Sequence, residues 1–249
     1  MAVEVRSVGV SPGASGSTTC VIVKPVGLAV GDLMTAQIQS LVVSVETTTP
    51  PEGWDLIERT YAGIALESEL FYKIADSDDA AATDFTFTLS KAASQRGAIV
   101  AWTGHDSDSP INASNGLGTD ALSTTVTSSS ITPTVADCMI LMHCGIYDNN
   151  TQSNYAIADD DPGGWVEAYD LPSNLTNDLS LSMAYALRSE TTNTGLGTAT
   201  TSAADRNIGQ LVAIAPAGEP PPGPTFKHIP HCGPRKKRAE FFPTLSMGG

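Results

Sequence analysis

The residues of this sequence able to do chemistry fall into four groups. His228, His231 and Cys232 stand close enough together to hold one zinc ion with a fourth ligand from elsewhere. Zinc sites usually carry paired ligands on both sides of a turn, and only one side is present, so no metal is expected. Asp76, Asp78 and Asp79, then Asp106 and Asp108, then Asp159, Asp160 and Asp161 fall in loops, the setting in which carboxylates bind calcium. None matches the consensus calcium loop, and solvated turns account for them more simply. Trp54 and Trp165 each follow a Pro and Gly turn, where an exposed indole would be a platform for a sugar ring. Their matching places in the two halves of the chain favour packing instead. Finally, Arg235-Lys236-Lys237-Arg238 is a basic run suited to phosphate or to an acidic protein surface.

Reaction signatures are lacking. The chain has no GxSxG, GxxxxGK[ST], HExxH or paired CxxC, and the glycines of SPGASGS near Ser11 have no helix behind them to cradle a phosphate. His105 and His143 are isolated, and His143 alternates to the opposite strand face from Cys138 and Cys144. No catalytic residue, cofactor-binding residue or cofactor is expected, and the protein reads as non-enzymatic.

The elements that must position these groups are strands. VEVRSVGV, TCVIVKP, DLMTAQIQSLVVSVE, WDLIERTY, ALESELFYKIA, DFTFTLS and RGAIVAWTG follow one another in the first half. LSTTVTSSSI, CMILMHCGIY, WVEAYDL, LSLSMAYALR and IGQLVAIAP follow in the second. Phe85 and Phe87 alternate with Thr86 and Thr88, the pattern of a strand with one wet side. Only DSDDAAA suggests a short helical turn. Cys20 reads as a small buried hydrophobe, and Cys138 and Cys144, about 20 Å apart along one strand, cannot bridge.

The halves echo each other. Asp32-Leu33-Met34, Gly53-Trp54, Leu70-Phe71-Tyr72-Lys73-Ile74 and Arg96-Gly97-Ala98-Ile99 have counterparts in Asp137-Cys138-Met139, Gly164-Trp165, Met183-Ala184-Tyr185-Ala186-Leu187 and Arg206-Asn207-Ile208-Gly209. That order predicts two four-stranded units facing each other as the sheets of one sandwich. The stretch between Thr103 and Thr134 reads as a long loop leading into a strand.

The composition changes near Pro216. Residues 1–217 are expected to form the β-sandwich body and 218–249 a Pro-rich linker and arm, with Glu219–Pro224 as a semi-rigid spacer. With 13 Lys and Arg against 27 Asp and Glu, the chain has a net charge of -14. Residues 219–249 hold five basic and two acidic residues, net +3, which leaves -17 for the rest. So acidic a body argues against a nucleic-acid partner. No run approaches a membrane span, and the start lacks a basic and apolar leader, so synthesis in the cytoplasm and no membrane partner are expected. In the arm, Phe226, Ile229, Cys232, Arg235, Lys236, Lys237, Arg238, Phe241, Phe242 and Leu245 are the candidate partner-binding residues, the apolar ones as anchors and the basic ones facing an acidic neighbour. Cys232 is also placed to join another chain by a disulfide.

Gly31-Asp32-Leu33-Met34, Pro50-Pro51-Glu52-Gly53-Trp54-Asp55-Leu56-Ile57, Leu70-Phe71-Tyr72-Lys73-Ile74-Ala75, Phe85-Thr86-Phe87 and Gly97-Ala98-Ile99-Val100-Ala101-Trp102 together resemble a family of β-sandwich proteins of tailed bacteriophages and prophages. The likeness spans about the first 110 residues clearly and the next hundred loosely. It implies an all-β, jelly-roll-like antiparallel sandwich and a virion structural role: capsid decoration or cement, or a head, neck or tail appendage. It also implies other virion proteins as partners, a homotrimer or higher homo-oligomer, and no catalytic residues. The basic arm is not part of it. The alternative reading is a carbohydrate-binding appendage that recognises the host surface through Trp54, Trp165 or the acidic loops.

Overall fold

The computed structural model describes residues 1–41 and 47–218, and Met1–Gly218 forms one unit. It is an all-β antiparallel sandwich. The first half contributes β1 (Glu4–Val10), β2 (Ala14–Val23), β3 (Leu33–Leu41), β4 (Thr48–Thr49), β5 (Asp55–Ala62), β6 (Leu66–Ile74) and β7 (Asp84–Thr103). The second contributes β8 (Ile111–Ser128), β9 (Cys138–Ile146), β10 (Gln152–Ile157), β11 (Val166–Leu171), β12 (Ser180–Arg188) and β13 (Gly197–Ile214). A five-residue helix, α1 (Ser77–Ala81), occupies the DSDDAAA segment.

The echo in the sequence is a duplication in the fold. In the first sheet the order runs β7-β3-β6-β5, and in the second β13-β9-β12-β11, so corresponding strands occupy corresponding places. Leu33, Trp102 and Ile74 are neighbours across the first sheet. Met139, Ile214 and Leu187 are neighbours across the second, 106, 112 and 113 residues further along. The likeness extends to the remaining strands. β1 and β2 pair with the two ends of β7 as the two ends of the single strand β8 pair with β13, and β4 pairs with β7 where β10 pairs with β13.

Two facing sheets were expected and two are found. β7 and β13 are long enough to pair twice, and their N-terminal ends turn back with β2 and β4, or with β10 and the end of β8, over the outer face of their own sheet. Odd residues of β3 therefore face the other half, and even residues face a private core. In the first half that outer core joins Met34, Ala36 and Ile38 to Cys20, Ile22, Phe85 and Phe87. In the second it joins Cys138, Ile140, Met142 and Cys144 to Val126, Ile157 and Ala199. Between the halves lie Leu33, Leu70, Val100 and Trp102 from one sheet and Met139, Leu141, Met183 and Val212 from the other. Each such fully buried aliphatic side chain contributes about 2 kcal/mol. Trp102 meets Tyr185 of the opposite sheet edge to face, with centroids 5.6 Å apart, and its indole N–H donates to Thr35 Oγ1 at 2.8 Å.

The stretch from Thr103 to Thr134 is mostly strand rather than loop, because β8 runs for 18 residues. Its Asn, Ser, Gly and Thr give a weak strand signal, and pairing along β13 supplies what propensity does not. Glycine also lets β8 approach β5 of the other sheet. A Cβ at Gly118 would stand 1.7 Å from the Tyr61 carbonyl oxygen, and one at Gly116 would stand 2.1 Å from Thr60 Oγ1. Gly118→Ala should therefore cost about 2 kcal/mol in urea unfolding, whereas Gly163→Ala should stay within about 0.5 kcal/mol. The nearest atom to a Cβ at Gly163 is 3.9 Å away. Equal midpoints for the two variants would refute this packing.

Candidate functional site

The ten arm residues proposed to bind a partner, Phe226, Ile229, Cys232, Arg235, Lys236, Lys237, Arg238, Phe241, Phe242 and Leu245, lie outside the described residues, as do His228 and His231. Among the described residues, the candidates separate into groups bound up in the fold and one group that remains open.

The acidic clusters are largely engaged. Asp76 caps α1, accepting from the backbone N–H of Asp78 and Asp79, while Asp79 returns the bond to Asp76 in a capping box. Lys73 Nζ lies 3.1 Å from Asp76 and 2.8 Å from Asp79. The backbone bonds and this ammonium together pull the Asp76 carboxyl down to about 2. Asp106 accepts from the N–H groups of Asp108 and Ser109, which likewise lowers its pKa. Asp159 takes a two-pronged ion pair from Arg188, at 2.9 and 2.6 Å. The guanidinium is fully buried and is satisfied further by the carbonyls of Asp161, Glu190 and Thr192. Asp161 accepts in turn from Ser189 Oγ and the Glu190 N–H. Among the described residues, no group of three His, Cys, Asp or Glu is arranged to hold a metal ion.

His143 and the two cysteines of β9 lie on opposite faces, as alternation predicts. Cys144 and Cys138 point into the outer core, where burial raises their thiols to about 12 and about 11, and Cys20 in the other half is raised to about 12. Such thiols stay protonated and are poor nucleophiles. His143 points between the sheets into a polar group that sequence reasoning missed. Gln37 Nε2 donates to Ser68 Oγ at 3.3 Å and to the Cys144 carbonyl at 3.1 Å. Gln37 Oε1 accepts from the Tyr169 hydroxyl at 2.9 Å and lies 3.3 Å from His143 Nδ1. Alongside, Gln210 Nε2 donates to Thr60 Oγ1 and to the Ser68 carbonyl. The signal was present in Thr35, Gln37 and Gln39, a polar row along a strand buried on both faces.

The tryptophans part company. Trp54 is 6% exposed and meets Phe85 and Phe87 edge to face, with centroids 5.7 and 5.3 Å away, so packing accounts for it. Trp165 is only partly buried. It leans at 32° against Tyr155, 6.5 Å away, on the wall of a pocket of about 270 Å³ that also includes Ile157, Asp160 and Pro162. A second pocket, of about 440 Å³, lies between Tyr147, Asp148, Asp178, Asp205 and Arg206, with the Arg206 guanidinium 5.6 Å from the centre of the Tyr147 ring. Arg206 also pairs with Asp120 at 2.8 Å. No protein-family model, curated protein or solved structure matches the chain.

Burial drives the His143 pKa down to about 3 from 6.5. Below 6.5 the unfolded chain takes up a proton that the folded protein refuses, so this group removes about 1.4 kcal/mol of stability per pH unit as the pH falls toward 3. Asp170 acts in the opposite sense. Desolvation, assisted by Glu167 and opposed by the Gln152 N–H, raises its pKa from 3.8 to about 6. The folded protein therefore holds that proton where the unfolded chain has lost it, and stability grows as the pH falls through this interval. Relative to the parent, His143→Asn should gain about 1.4 kcal/mol per pH unit between about pH 6 and pH 4 in urea unfolding. Parallel pH profiles for the two proteins would contradict the burial of a neutral imidazole.

Proposed function

We propose that this protein is a non-enzymatic structural component of a virion of the tailed-phage type, made in the host cytoplasm, whose basic C-terminal arm fastens an acidic β body to neighbouring subunits. The observation that carries the reading is the charge division at Gly218: -17 before it and +3 after it. The cations of the body are used internally. Arg6 pairs with Asp32, Arg59 with Glu69, Lys73 with Asp79, Arg188 with Asp159 and Arg206 with Asp120, while Lys24 and Arg96 donate to carbonyls. With eight Lys and Arg against 25 Asp and Glu in residues 1–218, negative charge is in large excess over the body's cations, and its outer field is negative.

Such a field attracts the run Arg235-Lys236-Lys237-Arg238 of another copy. Phe226, Ile229, Phe241, Phe242 and Leu245 then supply apolar area, at about 25 cal/mol per Å² buried, to offset the ordering of an extended segment. Most soluble homo-oligomers close by point-group symmetry, and a homotrimer or higher homo-oligomer with capsid, neck or tail subunits as neighbours is the assembly we propose.

Removing residues 219–249 should leave the body folded, with its circular dichroism unchanged, yet absent from purified particles when the truncated and full chains are co-expressed with the other particle proteins. Incorporation of the truncated chain at the full-length level would overturn the proposal.

A further inference from the structure

The duplication supplies an internal comparison. Trp54 and Trp165 occupy the same place in their respective halves, just before β5 and β11. In the first half, Phe85 and Phe87 project from β7 and fill the space beneath the indole. The register of 112 residues that aligns Trp102 with Ile214 puts Gly197 and Ala199 in those places. Both are buried, and a Cβ at Gly197 would already stand 2.5 Å from Ser128 Oγ, so the strand has closed in where the phenyl rings would have been. Trp165 is left with Tyr155 as its aromatic neighbour and with an open pocket beside it.

The polar lining is equally particular. Arg188 and the start of the loop after β12 hold Asp159 and Asp161, while Asp160 between them is exposed and its carboxylate has no hydrogen-bond or ion-pair partner among the described residues. Its φ of 60° sets its backbone apart from its neighbours', and the residue lines the pocket. The Tyr155 hydroxyl is turned the other way and donates to Ser182 Oγ at 2.8 Å, so that ring offers the pocket carbon rather than a donor.

From this geometry we infer that the Trp165 and Tyr155 pocket binds one neutral pyranose ring, with the C–H face of the sugar on the aromatic pair and a sugar hydroxyl donating to the Asp160 carboxylate. At about 270 Å³ the space lies at the small end of ligand pockets and suits a single ring. Asp159, Asp161 and Glu167 close by, on a body of net charge -17, disfavour phosphorylated, sulfated or uronic sugars. The two rings, tilted by only 32°, form a shelf rather than the crossed walls that enclose a quaternary ammonium. This site is independent of the arm and would serve surface recognition by the assembled particle.

Saturation-transfer NMR on the full chain, with glucose, galactose, N-acetylglucosamine, glucuronate and choline as separate probes, tests the inference. Transfer to the ring protons of at least one neutral sugar is expected, with Kd on the order of millimolar, as befits so small a ligand. Trp165→Ala and Asp160→Asn should each weaken that sugar at least about tenfold. Tyr155→Phe should bind as the parent does, because the hydroxyl takes no part. Asp160→Asn keeps an exposed side chain that tolerates the left-handed backbone, so it decides the matter even if Trp165→Ala fails to fold. Silence from all neutral sugars, transfer only to choline or glucuronate, or binding unchanged in Asp160→Asn would overturn the assignment.

Discussion

Burying a strand-face amide costs least where it finds partners, and Gln37, unlike Gln39, whose amide atoms have none among the described residues, finds them in both sheets and so ties the two halves together. Gln37 reaches its own sheet at Ser68 and the opposite sheet at Cys144, Tyr169 and His143. Sliding one half past the other by a residue would strand the Gln37 amide. The apolar contacts around Trp102 and Met183 supply most of the burial energy, but they are tolerant of small shifts. The polar contacts are not, so they select one register from the many that hydrophobic area would permit.

Once the central layer is fixed, each half must still cover the other face of its own sheet. It does so with chain of its own, by turning the ends of β7 and β13 over cores that the opposite half never touches. Each copy of the module is thereby free to change its outer layer without disturbing the join. Phe85 and Phe87 in one copy and Gly197 and Ala199 in the other are such a change. At that point one copy is filled and the other carries a recess.

Much of this was legible in the sequence. Alternation located most strands, because a residue's face follows directly from its parity, and the separation of His143 from Cys138 and Cys144 came from the same rule. The duplicated order of Gly-Trp turns and apolar strands announced two similar units. The outer layers were not legible. Met34, Ala36 and Ile38 read as an ordinary apolar strand face, and nothing local reveals that Cys20, Ile22, Phe85 and Phe87 of the same half cover it. Nor does local sequence pair Arg188 with Asp159, which lies 29 residues away. The end of β8 was legible in LSTTVTSSSI, but its first part, 111–121, was not, because Gly116 and Gly118, poor strand formers, serve the close approach of β5. The two tryptophans looked alike because their difference resides in β7 and β13, far along the chain.

The reading of the protein as a particle component rests on an acidic body whose cations are already engaged and a cationic, aromatic segment that continues from it. Sedimentation velocity of the full chain across protein concentration and ionic strength bears on that claim most directly. The account requires association into multi-subunit species at low salt, loosening toward single chains as salt shortens the electrostatic range from about 30 Å near 0.01 M to about 3 Å near 1 M. Single chains at every concentration and salt level would contradict it.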